Sequence, residues 1–229
     1  MFTSTTFDIL WQRDVQLLFL DGLRVTLELF ALSAVAAYAL GALLAALHFA
    51  GAFCSGLVQV FVGYHRNVPA IVQFMVWYFG VPQAFPASWT GWTDAHLNGF
   101  FYAVVALSLN AAAYISEDLR SGFRAVSQGQ YEAARALGLG YVATLKLVLM
   151  PQAVRAALPA LVNQALSLFK ATSLAMAIGV ADVMYIDRQV DGATYATFAS
   201  YLVPTVLYLI CTLTPMACGS WLHTRLSAR

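Results

Sequence analysis

The chain has 229 residues, 61% of them hydrophobic and only 10% charged, with a net charge of +1. Water-soluble domains are closer to half apolar and a quarter charged, so this composition excludes an ordinary soluble globule and points to one integral membrane domain spanning residues 1–229. A near-neutral chain also offers no basic surface for nucleic acid.

Backbone groups have no water to bond inside a bilayer, so an all-α bundle is expected, with about 20 apolar residues per span. Met1–Asp14 lacks a basic start and a long apolar core, so a cleaved leader is not expected. The first span is predicted over Thr26–Ala50, with a possible backward extension through Leu17–Leu23. The second is Leu57–Gly80, interrupted by Arg66, Asn67 and Pro69. Pro69 lacks a backbone donor, which predicts a break there. Val81–Leu97, with Pro82, Pro86, Gly91 and Asp94, reads as a loop. The third span covers Phe100–Ile115, and Glu117–Leu147 reads as an amphipathic loop region. Pro151 suits the first turn of the fourth span, which reaches about Leu174. Asp182–Thr197 reads as a polar loop, and the last span as Phe198–His223, making five spans.

Basic residues in short loops mark the cytoplasmic side. Arg120, Arg124, Arg135, Lys146 and Arg155 surround the loop between spans three and four, and Arg225 and Arg229 lie in the tail. Val81–Leu97 has no Lys or Arg, and Arg188 is offset by Asp182, Asp187 and Asp191. The N-terminus is therefore expected in the periplasm and the C-terminus in the cytoplasm. Arg66 is expected to anchor the cytoplasmic end of span two.

Within the cytoplasmic loop, Tyr131–Leu137 favours helix and carries the small residues Ala133, Ala134 and Ala136. A small-residue face can sit deep in a partner's groove. Gly138 and Gly140 are expected to end that helix, and a second short helix, Val142–Val148, to lead to Pro151.

Glu132-Ala133-Ala134, Gly138 and then Val148-Leu149-Met150-Pro151 resemble the EAA loop of ATP-binding-cassette importer permeases. Val148 and Met150 depart mildly from the family's Ile-x-Leu-Pro ending. Tyr64–Phe74 resembles the Arg-Gly-Thr-Pro-Leu-Leu-Val-Gln motif of polar amino-acid permeases. Lys170-Ala171-Thr172-Ser173-Leu174 is similar to that subfamily's Lys-Asp-Thr-Ser-Leu, without the acidic residue. Gly22-Leu23-Arg24-Val25-Thr26-Leu27 resembles the start of its first span.

The resemblance implies a permease subunit of the histidine, glutamine and glutamate type, with the type I importer fold. Arg66–Pro82 looks most like permeases for glutamate and aspartate. It also implies partners: an ATPase dimer docked at Glu132, Ala133, Ala134, Gly138 and Pro151 (the region 120–151), a second permease subunit and a periplasmic amino-acid-binding protein. The bacterial inner membrane is the implied location.

ATP would be bound by the partner, because neither Lys146 nor Lys170 closes a G-x-x-x-x-G-K-[ST] phosphate loop. No catalytic constellation is evident, so the chain is not expected to be an enzyme or to need a cofactor. His48, His65, His96 and His223 are scattered, and Cys54, Cys211 and Cys218 lack metal spacing, so no metal site is expected.

Polar residues inside spans are costly and face a cavity or a partner. Lys170 could snorkel to headgroups or, with Thr172 and Ser173, meet a substrate carboxylate. Asn110 and Tyr114 share one face of span three, Gln73 shares a face with Pro69, and Asn163 and Gln164 sit mid-span. These amides either bind neighbouring helices or line a polar path. A self-sufficient secondary carrier or channel is the rival reading. It would show inverted repeats, and none is evident.

Overall fold

In the computed structural model, described for residues 7–86, 88 and 97–227, every regular element is helical. The side chains of residues 215 and 217–227, residues 87 and 89–96 of the predicted Val81–Leu97 loop, and Arg229 lie outside the described part of the chain.

Helix α1 (Arg13–His48) has 36 residues and includes the Leu17–Leu23 extension. It is followed by α2 (Ala52–Asn67) and α3 (Ala70–Met75), the latter continued by a π turn, Val76–Gly80. Helix α4 is Gly99–Ala125 and α5 is Gln128–Ala136. Helix α6 (Met150–Ala171) belongs to a longer helical run, Tyr141–Ile178. Helices α7 (Val183–Thr194) and α8 (Thr197–Ser227) complete the chain.

Four helical runs among the described residues are long and apolar enough to cross a bilayer: Arg13–His48, Gly99–Ala125, Tyr141–Ile178 and Thr197–Thr214. The predicted second span is missing from that set because it is two pieces, α2 and α3, parted at Val68–Pro69 as proline chemistry requires.

Several boundaries differ from the sequence expectation. Span three runs past Ile115 to Ala125, helped by the Glu117–Arg120 ion pair one turn apart on its surface. Asp182–Thr197 is not a loop. Asp182 caps α7 by accepting a hydrogen bond from the Tyr185 amide at 2.9 Å, and Val183, Ile186 and Val190 bury one face. Pro151 sits in the first turn of α6, as expected, although the helical run that α6 belongs to begins upstream at Tyr141. The expected Val142–Val148 helix is a short turn, Tyr141–Thr144, followed by a π turn, Leu145–Leu149. That wider turn directly precedes Pro151, whose ring would crowd the carbonyl four residues back in a regular helix.

Lipid does not drive helices together, so close approach of small residues must do so. Helix α4 buries Ala103, Ala106, Ala111, Ala112 and Ala113, and packs on both α1 and α6. A Cβ at Gly122 would lie 2.4 Å from the Ala153 carbonyl oxygen, so only glycine admits this α4–α6 crossing. At the other end of the bundle a second apolar cluster joins Val15 and Phe19 of α1 to Val183, Ile186 and Val190 of α7 and Ala199 of α8.

Candidate functional site

At the Glu132 end, α5 stands out from the bundle. Ala134 is its one buried residue, whereas Glu132, Ala133, Arg135, Ala136 and Leu137 are exposed, Leu137 by 82%. The small face is thus divided: Ala134 turns inward, and Ala133 and Ala136 remain free. Gly138 ends the helix with φ +79°. The Leu139 amide donates to the Ala134 carbonyl at 3.1 Å and the Gly138 amide to the Arg135 carbonyl at 3.0 Å. This is a Schellman closure, which a glycine supplies without steric cost. Gly140 instead keeps an ordinary negative φ and starts the next helical turn. Gln152, beside Pro151, donates to Gln130 at 3.2 Å and to the Val148 carbonyl at 3.0 Å, tying α5 to the start of α6.

Midway along the bundle, the break in the second span creates an orphan. The Tyr64 carbonyl is met by the Val68 amide at 3.0 Å, but the His65 carbonyl would need a donor from position 69, which is proline. Two side-chain amides replace it: Gln73 and Asn110 each donate to the His65 carbonyl at 3.0 Å. Gln73 also donates to the Val68 carbonyl at 2.8 Å, and Asn110 to the Gln73 side-chain oxygen at 3.3 Å. An unmet carbonyl in hydrocarbon costs several kcal/mol, so both amides stabilise the break.

Beside this patch lies a cleft of about 310 Å³ between α3, α4 and α6. Its polar lining is Asn110, Tyr114, Gln164 and Ser167; the remainder is apolar and includes Ala171. Arg66 is outside that lining but adjoins Tyr114, which belongs to it. Its guanidinium lies 5.3 Å from the Tyr114 ring centroid, and the Tyr114 hydroxyl donates to the Arg66 carbonyl at 3.4 Å. Arg66 is in the last turn of α2, where the crossing is interrupted, and lies level with Tyr114, one turn before Glu117 and Asp118 of α4.

The other residues nominated from sequence lie outside that lining. Gln73 is buried in the patch. Asn163 and Lys170 are exposed on α6. Thr172 is buried and donates to the Phe169 carbonyl at 2.7 Å, and Ser173 donates to the Lys170 carbonyl at 2.7 Å, so both hydroxyl protons serve the backbone where α6 tightens. Ser167 was missed; its spacing of three from Gln164 and four from Ala171 places all three on one stripe of α6 and was the available signal.

Beyond the spans, burial pushes the Asp182 carboxyl up to about 7 and the Asp187 carboxyl up to about 6. One Asp182 oxygen and both Asp187 oxygens have no hydrogen-bond partner among the described residues. The Thr26 hydroxyl, itself donating to the Gly22 carbonyl at 3.0 Å, accepts the Val183 amide at 3.1 Å and pins α7 onto α1.

Comparison with known proteins places this architecture. The family model described as the inner membrane component of binding-protein-dependent transport systems matches residues 37–229. The chain belongs to that family. It is 34% identical over 199 residues to the arginine transport system permease protein ArtQ of Bacillus subtilis (strain 168), covering 83% of this chain and 84% of that one. It is 32% identical over 197 residues to the glutamine transport system permease protein GlnP of Escherichia coli (strain K12), covering 86% and 87%. The nopaline transport system permease protein NocM of Agrobacterium fabrum is 35% identical over 180 residues, covering 76% and 75%. Among solved structures, an amino acid ABC transporter crystallised with histidines superposes with TM-score 0.86 at 28% identity, covering 98% of this chain and all of that one. The MetNI methionine ABC transporter shares the fold, with TM-score 0.72 at 19% identity over 92% of this chain and 97% of that one. The family carries the permease resemblance read from the EAA loop.

Proposed function

We propose that this chain is the permease subunit of an ATP-driven importer for a polar amino acid in the bacterial inner membrane. Its N-terminus would face the periplasm, and α5 and the C-terminus the cytoplasm, as the basic residues around α5 favour. The observation that carries the reading is α5 itself: an exposed helix closed by Gly138 and tethered through Gln130 and Gln152 to the root of α6. The relatives named as amino-acid permeases support the substrate class.

In this reading a separate ATPase dimer binds and hydrolyses ATP and grips Glu132, Ala133, Ala136 and Leu137. Closure of the ATPase moves α5, the π turn at Leu145–Leu149 transmits the motion, and α6 shifts against α4. A second permease subunit, the same chain or a sister, completes the pathway. A periplasmic binding protein delivers the amino acid to the outer face. The solute crosses by way of the cleft at Asn110 and Tyr114. The Arg66–Pro82 resemblance leans towards glutamate or aspartate, whereas the relatives' names carry arginine, glutamine and nopaline.

Affinity purification from native membranes tests this directly. The expected result is an ATPase that co-purifies with the wild-type chain and is lost with Glu132→Arg, while the variant still inserts. A chain that purifies alone and drives uptake in vesicles would instead be a self-sufficient carrier.

A further inference from the structure

We infer that Arg66 captures the carboxylate of the transported solute beside a cleft built for an uncharged side chain, so that the cargo is a zwitterionic amino acid with one carboxylate. The inference rests on the permease reading and adds the solute's charge class and the residue that recognises it.

Depth is the first observation. Tyr114 is residue 16 of the 27 in α4, one turn before Glu117 and Asp118, and its hydroxyl donates to the Arg66 carbonyl, so Arg66 lies level with the end of the apolar part of α4. Its side chain is exposed in the single chain. A guanidinium facing hydrocarbon is disfavoured, so this face is expected against a polar path, a subunit boundary or the headgroups.

The second observation is lack of compensation. Among the described residues no carboxylate lies within ion-pair distance of Arg66, and the two ion pairs present join Arg24 to Glu28 and Arg120 to Glu117. Asp118, one turn beyond Tyr114, lies within Coulombic reach but is not paired with it. The planar guanidinium rests near the Tyr114 ring, which orients it while leaving its donors free. An oriented arginine with free donors suits bidentate capture of a carboxylate.

The cleft supplies the third. Among the described residues, none that lines it is charged. Asn110 spends its NH₂ group on the His65 carbonyl and Gln73, which leaves its side-chain oxygen free to accept from an ammonium. Gln164 and Ser167 have no hydrogen-bond partner among the described residues and can meet an amide or hydroxyl. A second carboxylate, or a guanidinium or ammonium on the side chain, would enter without a counter-charge and be disfavoured. Ala171 occupies the wall position where an acidic side chain could have offered one.

The test uses the permease with its co-purified ATPase in lipid nanodiscs, with equilibrium binding of glutamine, arginine and glutamate, and of glutamine α-amide, which lacks the carboxylate. The expected order has glutamine tightest and the other three weaker by roughly tenfold or more, the scale of an uncompensated charge. Arg66→Gln should bring glutamine down to the level of its α-amide, and Arg66→Lys should fall between. Ala171→Asp should raise arginine binding without abolishing ATPase association. Equal wild-type binding of glutamine and its α-amide would overturn the inference without needing any variant. So would wild-type affinity in Arg66→Gln, tight binding of glutamate or arginine, or no binding of any probe at millimolar concentration. Absence of a co-purified ATPase would instead overturn the permease reading itself.

Discussion

The two ends of the bundle are built on opposite terms. At the Asp182 end, α7 buries Val183, Ile186, Asp187 and Val190 against α1 and α8, and a threonine hydroxyl locks its first turn to the neighbouring helix. At the Glu132 end, α5 buries a single alanine and is tied down by a glutamine pair and a glycine closure. Local stability follows buried apolar contact, so the first end opens only with the whole fold, and the second can shift at little cost. An element that must pass motion to another subunit belongs at the second kind of end.

Substitutions should separate the two ends. Of the changes that compare these two ends, the largest expected loss is at Gly22, where a Cβ would sit 2.9 Å from Ile186 and 3.2 Å from the Asp182 carbonyl oxygen. Gly22→Leu should lower stability by about 3 kcal/mol, read as the thermal midpoint of the purified protein in detergent. If the midpoint held, α7 would not be the clamp described. Gly138→Val has open space around it and suffers only from its left-handed backbone, at about 1–2 kcal/mol. It should spare the global midpoint and reduce coupled uptake severalfold in proteoliposomes.

Acidity sharpens the contrast further. Both buried carboxyls titrate above their ordinary 3.8, at about 7 for Asp182 and about 6 for Asp187. The folded state therefore holds their protons more tightly than the unfolded one. That stabilisation is complete below about pH 4 and is lost as pH rises through the two values. The thermal midpoint should fall as pH is raised from about 5 to about 8, and Asp187→Asn should flatten the lower part of that fall. The smallest effect belongs to Glu132→Ala, a surface change expected to move stability by less than about 0.5 kcal/mol while weakening ATPase association in pull-downs.

Much of this was legible in the sequence. Leucine and alanine runs gave the four long helical runs, Pro69 gave the break, and Glu132 to Pro151 gave the loop with its left-handed glycine. What escaped was tertiary. The α7 segment holds Asp182, Asp187, Arg188 and Asp191, and net polarity outweighed the Val183, Ile186 and Val190 spacing that marks one buried helical face. The proximity of Arg66 to Tyr114 joins residues 48 apart in sequence and had no local signal. The pairing of Gln73 with Asn110 joins residues 37 apart in sequence, and no local pattern announces it.

That amide patch has a consequence for biogenesis. Gln73, within the second crossing, donates to both carbonyls at the break, and Asn110 of α4, which leaves the ribosome later, adds a second donor to the His65 carbonyl. The break is therefore held by one amide until α4 arrives and by two afterwards. Full stabilisation of this stretch thus waits for α4, whose docking is expected to tighten the second crossing.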